Sequence, residues 1–72
     1  MNIVDKAKVV ATKLAVKFQT ERWFNGVSVD PTPDNQVGLH IYCKYDPGRH
    51  VIPYTFEEFP VVKIIEPIQQ RT

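Results

Sequence analysis

The sequence predicts an α+β fold in which one long N-terminal helix packs on a three-stranded, mostly antiparallel sheet. Two observations predict it. Between residues 2 and 24 the apolar side chains recur at about 100° per residue, which is typical of an amphipathic helix. After residue 25 the apolar residues alternate with polar ones in short runs that proline and glycine separate, which is typical of strands and turns. With 72 residues, we expect one small α+β domain over residues 1–72.

The helix is expected to begin after Asn2, a suitable N-cap, with Asp5 at the position that a capping box gives to an acid. We expect Asn25 and Gly26 to end it, because glycine adopts the left-handed conformation that follows a helix without steric cost. Eight residues form the stripe that should be buried: Ile3, Val4, Ala7, Val10, Ala11, Leu14, Ala15 and Phe18.

A second apolar line is expected on the opposite side of this helix. Val9, Val16 and Trp23 are spaced by seven residues, which is nearly two turns. Apolar residues repeated on an outer helix face indicate contact with another chain. The alternative is that Trp23 covers the end of the core and that the valines are incidental. We take Val9, Val16 and Trp23 as the candidate partner interface.

Three strands are expected, over residues 26–30, 37–45 and 61–66. The first two are joined by a proline-rich loop and should pair antiparallel, whereas the last could pair beside either of them. The segment from Thr55 to Glu58 matches a capping box, which predicts a single helical turn before the last strand. In that strand Lys63 should face water, which places Val62 and Ile64 inward.

The alternation in the middle strand divides it into two faces. One face should pack on the helix, and the opposite face should stay open because one helix covers one side of a sheet. The residues expected on the helix side are Val37, Leu39, Ile41, Cys43 and Tyr45. Tyrosine among cations on an open sheet can stack nucleic-acid bases. We take four residues as an alternative site on the sheet face: His40, Tyr42, Lys44 and Lys63.

Charge supports nucleic-acid binding only weakly. The formal net charge is +1, which is too small to indicate a nucleic-acid partner by itself. Residues 1–24 contain five basic and two acidic side chains, a net of +3, whereas residues 25–72 contain four basic and six acidic ones, a net of −2. The basic helix could therefore be a contact surface or an ordinary solvated face.

No catalytic, metal or cofactor site is expected. His40 and Cys43 are three residues apart in a strand, so they should point to opposite faces and could not share one metal ion there. The sequence has no glycine-rich phosphate-binding motif. A single cysteine rules out an intrachain disulfide and favours a cytoplasmic location. No apolar run approaches the roughly 18 residues of a membrane span, so no membrane partner is expected.

Four short apolar segments follow one another from Gly26 onward: Gly26-Val27-Ser28-Val29, Leu39-His40-Ile41-Tyr42, Ile52-Pro53 and Phe59-Pro60-Val61-Val62. Their order resembles the small α/β accessory module that precedes, or is attached to, some trypsin-like serine protease domains. The resemblance implies an α-β-β-β arrangement and an accessory part, with no catalytic residue to carry over.

These features favour a small non-catalytic protein-interaction module that self-associates, with a second copy or another protein as partner. A short chain has a small core, and association adds buried surface without adding chain. The alternative is a nucleic-acid-binding accessory protein that uses the basic helix and the open sheet face.

Overall fold

Helix α1 (Ile3–Phe18) begins where the sequence predicts in the computed structural model, which describes residues 2–66. The Asn2 side chain accepts a hydrogen bond from the Asp5 backbone N–H at 2.8 Å and so satisfies one of the unpaired donors of the first turn. The buried residues of the helix all come from the predicted stripe: Ala7, Val10, Ala11, Leu14 and Phe18. Ile3 and Val4 were expected there too, but they are 60% and 43% exposed because they overhang open grooves at the end of the sheet.

The helix ends earlier than predicted, and this changes the position of Trp23. Gln19 is the C-cap, and the Glu21 N–H donates to the Phe18 carbonyl at 2.9 Å as the chain turns back. The turn inserts the Trp23 ring beside the Phe18 ring, with a centroid distance of 5.0 Å, and leaves Trp23 only 5% exposed. The prediction that Trp23 extends the outer line of the helix is therefore wrong, because its packing against Phe18 replaces the last two helical turns.

Four strands form one mixed sheet in the order β1-β2-β4-β3. They are β1 (Phe24–Pro31), β2 (Val37–Cys43), β3 (Thr55–Phe56) and β4 (Phe59–Ile65). β1 is antiparallel to β2, β2 is parallel to β4, and β3 is antiparallel to β4. The α+β class is thus confirmed. The predicted count of three strands is wrong because β3 adds a short fourth, and the last long strand pairs beside β2.

Gly26 has a role other than the predicted one. It does not end the helix but lies at a β-bulge in β1, where the pairing with β2 shifts between Phe24 and Gly26. Its φ of 149° is a conformation that residues with a side chain rarely adopt. The bulge allows β1 to start directly after Trp23, so the signal that suggested a helix end marks a strand irregularity.

The predicted helical turn at residues 55–58 is instead a tight hairpin between β3 and β4. Phe56 pairs with Phe59, so Glu57 and Glu58 form a two-residue loop. Both glutamates have positive φ, 45° and 79°, as the type I′ turn of a two-residue hairpin requires. The capping-box prediction fails because the hairpin brings both phenylalanines to the core, with Phe59 4% exposed and Phe56 packed against the cluster.

Replacing Glu57 and Glu58 by Asn and Gly is expected to stabilise the fold. Asn-Gly is the preferred type I′ pair, whereas left-handed backbone costs other L-residues roughly 1–2 kcal/mol. The exposed ion pairs that the glutamates form contribute little by comparison. For a domain of this size we expect the thermal midpoint to rise by about 4–8 °C for each kcal/mol gained. Replacing both glutamates by glutamine is the control, since it removes the charges and keeps the backbone strain. If the thermal midpoint of that variant rose by the same amount, backbone strain would not be the explanation.

In β4 Lys63 is exposed as predicted, but the prediction that Val62 and Ile64 face the core is wrong. Val61 lies beside Leu39 and packs against the core, whereas Val62 lies beside His40 and Ile64 beside Tyr42 on the face away from α1. The alternation is set by Phe59, which the hairpin fixes in the core. Lys63 therefore lies on the helix side of the sheet, near its edge, where its Nζ donates to Asp46 Oδ1 at 3.0 Å.

The core lies between α1 and the sheet. The predicted inward face of β2 is confirmed for Leu39, Ile41 and Cys43, which are fully buried. It is wrong for Tyr45, which is 53% exposed because β2 ends at Cys43. The structure shows no buried polar side-chain atom without a partner among residues 2–66. Ten apolar residues form the buried cluster: Ala7, Val10, Ala11, Leu14, Phe18, Trp23, Leu39, Ile41, Cys43 and Phe59.

Candidate interaction surfaces

The two outer valines of α1 are exposed on the side of the helix away from the core. Val9 is 47% and Val16 is 57% exposed. At about 100° per residue, Thr12 lies between the buried Ala11 and these valines on the circumference of the helix. The structure thus brings Val9 and Val16 to the same side of the molecule and separates them from Trp23.

A groove of about 360 Å³ runs between this side of α1 and strand β1. Ala11, Thr12 and Ala15 form much of its helical wall, so the wall is made mostly of small side chains. Within the described residues β1 has a neighbouring strand on one side only. We call the combined surface of Val9, Val16, this groove and the outer edge of β1 the β1 flank. Its lining residues are Lys8, Ala11, Thr12, Ala15, Val27, Ser28 and Val29.

The opposite side of α1 is occupied by the β3–β4 hairpin. Lys6 Nζ lies 2.7 Å from Glu58 Oε2, and Lys13 Nζ lies 3.5 Å from Glu57 Oε1. The hydrogen bond from Lys6 lowers the pKa of Glu58 and raises the pKa of Lys6 itself. Two of the lysines that make the helix basic therefore form ion pairs within the chain. This side of α1 is contacted by the β3–β4 hairpin, whereas the β1 flank is not.

The open sheet face has a different composition from the one predicted. Ser28 Oγ donates to Asp30 Oδ2 at 2.6 Å and lies 3.1 Å from Tyr42 Oη, so a carboxylate adjoins the tyrosine. His40 lies beside Ser28, with its Nε2 3.1 Å from the Pro31 carbonyl oxygen. Because Lys63 lies on the other face, the predicted set of His40, Tyr42, Lys44 and Lys63 is not brought together.

Val62 and Ile64, which sequence reasoning placed inward, join His40 and Tyr42 on this open face. The face is therefore polar along β1 and apolar along β4. The helix lysines that nucleic-acid binding would use, Lys6, Lys13 and Lys17, lie on α1 and so beyond the other side of the sheet. No continuous basic surface connects the two sets among the described residues.

Candidate metal ligands do not cluster in residues 2–66. No group of three or more His, Cys, Asp and Glu in that range is placed to hold a metal ion. Cys43 is fully buried, and the burial raises the pKa of its thiol, which disfavours the reactive thiolate. No helix in the same range has the length and apolar character that crossing a bilayer requires.

Sequence reasoning missed the groove of the β1 flank, and the sequence contains two signals for it. Ala11 and Ala15 are four residues apart on the rim of the apolar stripe, where small side chains leave space. Pro31 at the end of β1 marks an edge strand, since proline cannot donate a hydrogen bond to a further strand.

The chain matches no family model, no curated protein and no solved structure. The resemblance to the protease accessory module therefore stays a prediction. Among the surfaces of residues 2–66, the β1 flank combines exposed apolar side chains with a strand edge that has no neighbouring strand.

Proposed function

We propose that this chain is a small non-catalytic protein-interaction module that self-associates through the β1 flank. The observation that carries the proposal is the outer edge of β1, which has a groove beside it and no neighbouring strand within the described residues. Val9 and Val16, on the outer face of α1, are about half exposed. Apolar side chains next to a groove and a strand edge form a surface that loses water favourably when another protein covers it.

The size of the core supports the same proposal. Ten residues form the buried cluster, and three of them are small: Ala7, Ala11 and Cys43. Chains of this size bury a modest fraction of their surface, so a partner that binds the folded state adds stability. The single cysteine is buried and forms no disulfide, which leaves a cytoplasmic location as our expectation.

The nucleic-acid alternative has less support. Lys63 and the pair His40 and Tyr42 lie on opposite faces of the sheet, and Asp30 adds a negative charge beside Tyr42. A basic footprint on one face is the feature that nucleic-acid-binding domains share. A gel shift of labelled single strands and duplexes at low salt that disappears as salt rises would support this alternative over the proposal.

Replacing Val16 by glutamate is the direct test. We expect the native chain to form dimers as its concentration rises from micromolar to millimolar, and the variant to stay monomeric. A carboxylate in an apolar contact costs several kcal/mol, which corresponds to at least about a hundredfold weaker association. Sedimentation velocity measures the change, and circular dichroism shows that the fold is kept.

The matched control is Val51→Glu, which places the same charge at a valine that is 39% exposed in the loop before β3. This variant is expected to associate as the native chain does. A native chain that stays monomeric at millimolar concentration would contradict self-association. Association that is indifferent to Val16→Glu would move the contact away from the β1 flank.

A further inference from the structure

We infer that the occupant of the β1 flank is a second copy of this chain, paired antiparallel along β1 about a two-fold axis at Ser28. This inference rests on the proposed function and adds to it a register, a symmetry and a limit on assembly.

The β1–β2 ladder determines which backbone groups of β1 point outward. The Thr32 N–H donates to the Gln36 carbonyl at 2.8 Å, and the same register continues through Asp30 with Gly38 and Ser28 with His40. Hydrogen-bonded and non-hydrogen-bonded pairs alternate along an antiparallel ladder. Ser28 and Asp30 therefore direct their backbone groups to β2. Val27 and Val29 direct theirs away from it.

These outward groups are complementary to a second copy of themselves. A two-fold axis at Ser28 places Val27 opposite the partner's Val29, and Val29 opposite the partner's Val27. Both pairs are of the hydrogen-bonded type, so the contact gains four backbone hydrogen bonds. Ser28 faces the partner's Ser28 as a non-hydrogen-bonded pair, and these two small side chains fit at the axis.

The ends of β1 limit this pairing to its centre. In the same register Pro31 faces the partner's Asn25, which lies in the bulge between Phe24 and Gly26. Proline has no N–H to donate, and a bulge disrupts a regular ladder. The contact is isologous, so each copy uses the same strand and assembly stops at two chains.

The two-fold axis is normal to the sheet, so both helices lie on the same side of the extended sheet. The groove walls of the two copies then face each other, with Thr12 and Ala15 near the axis. The Thr12 hydroxyl donates to the Lys8 carbonyl at 3.1 Å, which leaves its methyl group for the partner. Small side chains allow the helices to approach, and Val9 and Val16 extend the apolar contact.

The other long edge of the sheet fits a second copy less well. There β3 pairs with the start of β4, and the Val61 N–H donates to the Tyr54 carbonyl at 2.8 Å. Farther along that edge Lys63 is held by Asp46, and a lysine on an edge strand disfavours pairing with another chain.

Oxidative cross-linking of Ser28→Cys tests the register. Side chains of a non-hydrogen-bonded pair have Cβ atoms about 4.5–5.5 Å apart, close to the separation that a disulfide requires. We expect mild oxidation to convert this variant to a covalent dimer that reductant reverses. The native chain, whose Cys43 is buried, is expected to stay free of covalent dimer.

The matched control is Asp30→Cys, which places a thiol on the same strand and the same face. In the proposed register residue 30 and its counterpart in the partner are offset by four residues, which is about 14 Å along the strands. No cross-link is therefore expected. Sedimentation of Ser28→Ala checks that position 28 tolerates a change, and we expect it to associate like the native chain.

The outcomes separate this inference from the proposed function. A native chain that is monomeric at millimolar concentration overturns both. A native dimer that Val16→Glu dissociates, but in which Asp30→Cys cross-links in place of Ser28→Cys, overturns the register and keeps the function. A dimer in which neither thiol cross-links overturns pairing along β1.

Discussion

Replacing Trp23 by alanine is expected to destabilise the fold by about 3–5 kcal/mol, the range for removal of a large buried aromatic. Trp23 is 5% exposed, and its ring lies 5.0 Å from the Phe18 ring and 6.2 Å from the Phe24 ring, centroid to centroid. Offset or edge-on aromatic pairs of this kind contribute beyond their buried area. The loss would be a large part of the stability of a small domain, which is commonly 5–15 kcal/mol in total.

The measurement is chemical denaturation followed by circular dichroism at low micromolar concentration, where weak association contributes little. Tyr54→Ala removes an aromatic that is 85% exposed and should change the midpoint by far less. Trp23→Phe keeps a ring in the site and should recover part of the loss. If Trp23→Ala instead dissociated a dimer and left monomer stability unchanged, Trp23 would be an interface residue after all.

The parts of the fold that the sequence predicts are those that local patterns determine. Asn2 caps α1, and its period of about 100° per residue identifies Leu14 and its neighbours as buried. The β1–β2 hairpin follows from two alternating runs around Pro33, Asp34 and Asn35, and the positive φ of Asn35, 62°, is one that asparagine tolerates. These elements depend on residues that are close in sequence, so no tertiary knowledge is needed.

The errors arise where tertiary packing chooses between local alternatives. Residues 19–23 could continue the helix, but burial of Trp23 against Phe18 favours a turn. Thr55 to Glu58 could cap a helix, but the hairpin buries Phe59. In both cases burial of an aromatic side chain stabilises the fold by more than the helical backbone would. The local sequence pattern favours the helix, but the structure does not form it.

The candidate site shows the same division between local and tertiary information. The exposure of Val9 and Val16 follows from the helical period alone, because both lie outside the buried stripe. Pro31 is a local signal for an edge strand, but the open outer side of β1 also depends on the parallel pairing of β4 with β2, which no local pattern determines. Had β4 paired beside β1, the groove at Ala11 and Ala15 would be covered by this chain itself.

Replacing Leu14 by alanine is the second change with a large expected effect, a loss of about 2–5 kcal/mol. Leu14 is fully buried in the core cluster and comes from the middle of the helical stripe. The substitution leaves a cavity that the sheet side of the core cannot readily fill, because Leu39 and Ile41 are themselves fully buried there. Alanine has the higher helix propensity, so the loss would come from packing.

Lys13→Ala is the matched control, since it changes the neighbouring residue on the exposed side of the same helical turn. Lys13 reaches Glu57 at 3.5 Å, and an exposed pair of this kind contributes little. The denaturation midpoint should therefore fall sharply for Leu14→Ala and little for Lys13→Ala. Comparable losses in the two variants would show that the buried and exposed faces of the helix are not those described here. The same assignment of faces places Val9 and Val16 on the outer side of α1.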